Sequence, residues 1–405
     1  MIKHKVLYNR NFRLLTFGQM ISTFGDTLYL VAMLWIAAEI TDSNTKLSFI
    51  SVCDTLPAIF LGFFSGVIVD RNSKKKIMII ADFARCVLIF GFSLVFAFGK
   101  VNIYYIFILT LLIAFFQGLY NPAQFSITPK IVEQCDLKDA NSISTFILNI
   151  ITIIGNSVCG FAFKYLGGLW TLWVNCFSFI LSALSTKKIQ YVEIIEKEEV
   201  EETNILKDSF SAVKYLLGKQ NLLLLLFLSL TLNLVSGSFY CLPLFIKNSL
   251  NQDIAIYGIV EAFGAAGMLL GALIVIKIVN SHYYKIMILA GVFECVCFIG
   301  IALSSSPLSV FLLRFILGCN NAIFNVMFAT LFQQEVDDIY RGRIYAISFM
   351  VSTISLPISA LLSGRVADIV SIRFSWLFFG VMALLLCGLN YCISLKGGAS
   401  NVKNN

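Results

Sequence analysis

Charge is the scarcest ingredient of this 405-residue sequence: only 13% of its residues are Asp, Glu, Lys or Arg. A water-soluble globular chain carries about 25%, so most of this surface is built for a solvent other than water. Histidine is rarer still, with only His4 and His282, both outside the long apolar runs. That excludes histidine relays within those runs and leaves any proton traffic to carboxylates. The Gly-x-x-x-x-Gly-Lys phosphate loop, the nucleophile elbow and the His-Glu-x-x-His pattern are all missing. Their absence argues against ATP as energy source and against hydrolytic catalysis. The cysteines are scattered, and the nearest pair, Cys295 and Cys297, lacks metal-ligand spacing. They read as buried thiols, with neither a disulfide framework nor a metal site expected. The net charge of +7 lies in short segments instead of on one basic face, so neither nucleic acid nor a cofactor is expected as a partner.

What the sequence has in plenty is oil: 58% hydrophobic residues, 37 of them Phe, and a mean hydropathy of +0.85. A helix needs about 20 mostly apolar residues to cross the hydrocarbon core. Twelve runs qualify, at about 14–39, 47–69, 76–98, 103–127, 142–165, 169–186, 221–246, 254–279, 285–304, 307–334, 344–367 and 373–394. Lipid offers bare backbone no partner, so all twelve are expected to be helices. The first run follows Lys3, Lys5, Arg10 and Arg13 and is too long for a signal-peptide core, so it is read as a retained span.

The connecting segments set the orientation. Placing both termini in the cytoplasm puts 22 of the 30 basic residues on the inner side and 6 on the outer, as positive-inside sorting requires. The one long polar stretch, 187–220, carries an acidic run from Glu193 to Glu202 and then Ile205, Phe210, Val213, Leu216 and Leu217 at helical spacing. It is expected to be a solvated linker ending in an amphipathic helix on the inner membrane face. It divides the chain into a bundle at 1–186 and another at 221–405. These halves carry an internal echo: Lys76-Ile-Met-Ile-Ile80 recurs 209 positions later as Lys285-Ile-Met-Ile-Leu289. The Ile-, Lys- and Asn-rich usage points to an AT-rich bacterial genome.

The first charged break is Gly66-Val-Ile-Val-Asp70-Arg71-Asn-Ser-Lys74-Lys75-Lys76, which continues to Asp82 and Arg85. It resembles the loop between helices 2 and 3 of major facilitator superfamily transporters, and its continuation resembles the drug-efflux branch that includes macrolide-efflux proteins. Arg341-Gly342-Arg343, Asn121-Pro122-Ala123 with Pro129, and Ala140-Asn141 carry the same resemblance into both halves. It implies an all-α membrane protein of twelve transmembrane helices in two pseudo-symmetric six-helix bundles, with a site at the midplane. It also implies that Gly66, Asp70, Arg71, Lys74, Lys75, Lys76, Asp82, Arg85, Arg341, Gly342 and Arg343 form an inner gate. The Gly-Pro pair common in helix 5 of antiporters is replaced here by Gly155-Asn156, with Gly160 following.

Ionisable side chains inside a bilayer each need a reason. Gln19, Ser22, Asp26 and Tyr29 repeat at three-or-four spacing and give the first helix one polar stripe. The resemblance turns that stripe toward a central cavity, where a desolvated carboxylate can take up a proton near neutral pH. Asp26, Glu261 and Asp54 are the proton-coupling candidates in that order. Glu261 shares a face with Tyr257, Gly264, Met268 and Gly271. Many proton-coupled relatives carry Arg-x-x-Gln-Gly on helix 4; here Gln117-Gly118 is present but Ala114 fills the Arg position. Setting Gly118 beside Gly318 puts Ala114 opposite Arg314, so the second half is expected to supply the missing cation. Gln19, Ser22, Tyr29, Gln117, Asn233, Arg314, Asn321 and Asn325 are the cavity candidates. Glu294 is read as structural, and the serines around Pro357 as support for a bend.

The function expected from the resemblance is proton-coupled efflux of an amphiphilic, macrolide-like small molecule across the plasma membrane, with lipid around a monomer. A lysophospholipid flippase of the same fold and a non-transporting sensor or scaffold are the alternatives.

Overall fold

The computed structural model describes residues 5–99, 101–191, 213–277, 283–336 and 340–396, and every long element in it is a helix. The chain order is α1 Arg10–Ile40, α2 Asn44–Arg71, α3 Lys74–Ala97, α4 Ile103–Ile131, α5 Leu137–Leu166 and α6 Gly168–Lys187. After the segment around 213–218 come α7 Gln220–Ser238, α8 Ile254–Lys277, α9 Tyr283–Leu303, α10 Pro307–Glu335, α11 Arg341–Ile369 and α12 Ile372–Lys396. Eleven helices among the described residues are long and apolar enough to cross a membrane. They include all of these but α2, which runs for 28 residues and contains Pro57. The side chains at 62–67, 70 and 71 of α2 and at 341–343 of α11 lie outside those described, as does the 192–212 part of the expected linker.

Local chemistry sets the helix ends. The Asn9 side chain accepts from the backbone N–H groups of Asn11 and Phe12, Ser73 from Lys76 and Asn102 from Tyr104, which satisfies donors that a first helical turn leaves open. α5 and α6 are separated by Gly167 alone, at φ 83°. A side chain there would be strained, so glycine makes the one-residue corner. α7 does not stop cleanly: a 3-10 turn (Phe239–Cys241), a short α turn and a π turn (Phe245–Ser249) carry it onward. Its Phe245 and Phe239, together with Phe298 of α9, enclose the fully buried Trp376 of α12, with Phe245 stacked at 4.6 Å and Phe298 and Phe239 at 5.3 and 5.7 Å.

The helices gather into two compact units: Met1–Asp42 with Val52–Glu198 and Gln252–Ala262, and Ser43–Ser51 with Glu199–Asn251 and Phe263–Asn405. In the first unit α1 packs on α6 and α5, and α3 packs on α6 and α4. α1 meets α6 where Gly25 lies against Asn175 and Ser178. The opening turns of α8 belong to this unit and rest on α5, where a Cβ on Gly160 would come within 2.8 Å of the Ile254 carbonyl oxygen. Gly160 therefore serves close backbone approach. In the second unit α9 packs on α10 and α12, and α11 on α7. α8 beyond Phe263 lies backbone to backbone on α10, with Gly267 against Phe315, Gly271 against Cys319 and Gly318 against Gly264. The opening turns of α2 belong to this second unit.

Candidate functional site

Four helices of the first unit converge on one guanidinium. Arg85 of α3 is wholly buried, and its ion pair to Asp82, one turn back, measures 2.5 Å. The same group faces Asp26 of α1 at 3.7 Å and donates to Oε1 of Gln117 on α4. Gln117 in turn donates to Asn121 at 2.7 Å. Tyr120 and Phe179 stack on Arg85, 4.8 and 4.3 Å from ring centroid to guanidinium carbon, positions that favour a cation over the aromatic face. The planar fork of arginine is what allows one side chain to serve three polar partners in different directions. Asp26 is the open end of this cluster: its side chain is 35% exposed while those of Arg85 and Asp82 are 0%.

Several expected residues gather around that open end. Ser22 donates to Asp26 at 3.5 Å. Tyr29 is buried one turn beyond and lies in the fields of Asp54 and Asp26. Asp54 of α2 is itself exposed, whereas Gln19 is buried. The cation beside Gln117 therefore comes from α3 of the same unit, not from the second half, because the long Arg85 side chain reaches across to α4. Arg85 keeps the inner-gate residue Asp82 as its partner and in addition reaches Asp26 and Gln117, which lie outside the gate set expected from sequence. Within that expected gate, Lys75 donates to the Ile189 carbonyl at 2.7 Å and Lys74 is buried near the Val69 carbonyl at 3.4 Å.

The second unit repeats the arrangement with the charge reversed. Glu294 of α9 is fully buried, and the Asn321 amide of α10 donates to its two oxygens at 3.2 and 3.4 Å. Asn325 donates to Asn321 at 2.9 Å, one turn on, as Gln117 does to Asn121. Arg85 and Glu294 stand 209 positions apart, the interval that separates Lys76 from Lys285. Arg314, aligned with Ala114 from sequence, stacks on Phe239 at 4.1 Å, lies against Gly264 and acts electrostatically on Glu294. Asn233 is absorbed in helix contacts: its amide donates to the Ser352 carbonyl at 3.1 Å and to Ser355 at 2.5 Å. Glu261, in the opening turns of α8, is half-buried. Among the described residues no three His, Cys, Asp or Glu side chains gather as a metal site. The sequence reading missed the link between Glu294 and Asn321; the repeat interval applied to Arg85 points to Glu294 but not to its partner.

Comparison with known proteins agrees with this architecture. A family profile described as transmembrane secretion effector matches residues 4–403. Macrolide efflux protein A of Streptococcus pyogenes is 22% identical over 382 residues, covering 91% of this chain and 92% of its own. YvqJ of Bacillus subtilis, an uncharacterised MFS-type transporter, is 22% identical over 376 residues, covering 91% and 88%. The Tap multidrug efflux pump of Mycobacterium tuberculosis strain H37Rv is 26% identical over 183 residues, covering 44% and 43%. Among solved structures, the nucleoside transporter NupG superposes with a TM-score of 0.77 at 13% identity, covering 94% of this chain and 98% of that one. A bacterial homologue of the iron transporter ferroportin, solved inward-facing, gives 0.72 at 17%, covering 94% and 98%. At such identities the structures speak for the fold alone. These relatives are membrane transporters, not enzymes.

Proposed function

Because the chain belongs to the transmembrane secretion effector family of major facilitator transporters, we propose that it is a secondary active exporter of an amphiphilic, macrolide-like small molecule, driven by proton entry. The observation that carries this reading is the half-open Asp26 carboxylate held 3.7 Å from the buried Arg85. A proton on Asp26 releases the guanidinium to Asp82 and Gln117, and loss of that proton restores the pair. One carboxylate thus exchanges a proton for a cation at the edge of a four-helix cluster. Coupling then needs only that proton and substrate bind the two transport states with different affinity.

The reading includes α2 as the twelfth span, two six-helix bundles at 1–186 and 221–405, the linker at 187–220 and both termini in the cytoplasm of a bacterial plasma membrane. Glu261 and Asp54 are the reserve proton sites. Tyr29, Gln19, Ser22, Asn321 and Asn325 supply polar anchors for substrate, and Asp70, Arg71 and Arg341 to Arg343 act at an inner gate. Substrate specificity is drawn from the efflux relatives, with erythromycin as the first compound to try.

Uptake of labelled erythromycin into inverted vesicles under an imposed pH gradient tests this. Gradient-driven uptake is expected in the wild type, and Asp26→Asn should remove the response to the gradient. Wild-type uptake that ignores the gradient, across a compound panel, would sink proton-driven export. Movement of a labelled lysophospholipid in its place would support the flippase alternative.

A further inference from the structure

Three carboxylates, Asp82, Asp368 and Glu294, differ in what serves them. Asp82 holds Arg85 at 2.5 Å. Asp368, at the end of α11, accepts from Ser43 Oγ, from Asn44 through both its backbone N–H and its side-chain amide, and from the Thr45 backbone N–H, at 2.6 to 3.1 Å. Asp368 has the short, multiple bonds of an ionised carboxylate, and Asp82 has one short contact to a fixed cation; charge-assisted bonds of this kind run about 2.7–2.9 Å. Glu294 has nothing comparable. A single amide nitrogen is spread over its two oxygens at 3.2 and 3.4 Å, although a carboxylate offers about four acceptor positions. Burying a carboxylate so poorly served is costly, whereas a neutral acid tolerates the same surroundings.

We propose that Glu294 is a proton-binding site of the second unit, reached through the side-chain amides of Asn321 and Asn325. The path has a defined outer end, since Asn325 is exposed while Asn321 is half-buried and Glu294 fully buried. The step is one proton from water onto a Glu294 oxygen, and its return to water on release. The groups that face the site are few. From α10, Arg314 acts on Glu294 electrostatically; from α12, Cys387 reaches Cys295, the next residue of α9; on α9 itself lie Cys295 and Cys297. α7, the remaining neighbour, contains no titratable residue. The reversal of charge at the position equivalent to Arg85 gives each half one buried polar relay, cationic in the first and acidic in the second. This proposal rests on proton-driven export for its role in transport, but the proton site itself is measurable without transport.

The experiment is a pH titration of the full-length protein in lipid bilayers by infrared difference spectroscopy, wild type against Glu294→Gln. A protonated-carboxyl band that comes and goes with pH in the wild type and is lost in the variant is the expected result. Identical difference spectra would overturn the proposal. If Glu294→Gln does not assemble, hydrophobic carbodiimide labelling of the wild type decides, because the reagent attacks protonated carboxyls in apolar surroundings. Label on Glu294 that declines as pH rises is expected, and no label at any pH overturns it. Erythromycin uptake separates the two readings. Indifference of the wild type to a pH gradient defeats proton-driven export yet leaves the Glu294 titration standing. Equal gradient-driven uptake in wild type and Glu294→Gln removes Glu294 from the coupling.

Discussion

Arg85 serves Asp82, Asp26 and Gln117 from a position with no access to water. Removing one partner of such a cluster leaves the others desolvated and uncompensated, at a cost of about 3–5 kcal/mol. Arg85→Met is therefore expected to lower the melting temperature in detergent sharply, with Asp82→Asn in the same chain recovering part of the loss. Arg85→Lys should rescue only weakly, since an ammonium on a single stem cannot fork between α1 and α4. Equal melting curves for Arg85→Lys and wild type would show that charge alone suffices. The i,i+3 spacing of Asp82 and Arg85 was legible in the sequence, because it needs only one helix. The pairing of Arg85 with Asp26 was not, because it depends on how α1, α3 and α4 are rotated toward one another.

A second ion pair behaves differently because water reaches it. Lys164 and Asp253 meet at 2.7 Å with both side chains nearly half exposed. Burial alone would raise the Asp253 carboxyl, but the hydrogen bond from Lys164, the amides of Ile256 and Ala255 and the Lys164 charge outweigh it, holding the carboxyl below its ordinary 3.8. With the folded value depressed, the contact contributes fully above the ordinary value and fades only as pH falls through the lower, folded one. Lys164→Met should thus leave the melting temperature almost unchanged, as exposed pairs generally do, with no pH dependence between neutrality and mild acid. A midpoint for that difference near neutral pH would contradict the assignment.

At the scale of elements, α2 begins under a cap contributed by another helix. Asp368 of α11 accepts from the backbone N–H groups of both Asn44 and Thr45, so its negative charge also meets the positive end of the α2 dipole. Asp368→Ala is expected to cost about 0.5–2 kcal/mol, the range for lost caps. Hydrogen exchange should rise in the first turn of α2 and stay unchanged in α7; uniform change across both would show that Asp368 does not act locally. The α8–α10 contact is the opposite kind of joint, made by absent side chains. Any side chain at Gly267 meets the Phe315 backbone, so Gly267→Leu should abolish the monodisperse folded species on size exclusion. Gly264 and Gly271 were readable as a contact face from spacing, whereas Gly267 and Gly318 emerge only once the two backbones are seen to touch.

For the whole molecule, apolar runs carried most of the legible information, since lipid dictates helix. Eleven of the twelve expected spans qualify among the described residues, and the Asn44–Arg71 helix stands where the remaining run was expected. What the runs did not reveal is the trading of opening turns: Ser43–Ser51 of α2 and Gln252–Ala262 of α8 each belong to the other compact unit. Hydropathy sees only length and oiliness, so it draws a boundary in the linker and nowhere else. Orientation is testable by single cysteines in a background without native ones: a membrane-impermeant maleimide added to whole cells should label position 102 and spare position 134. The reverse pattern would invert the assigned topology.

The opposite signs of Arg85 and Glu294 set a limit on ancestry. If the two halves descend from one duplicated gene, their buried relays have since diverged past interchange. A guanidinium grafted alone into the place of Glu294 would sit against Asn321 without the Asp26 and Asp82 that hold Arg85 in the first unit, so only a whole set of partners could be exchanged.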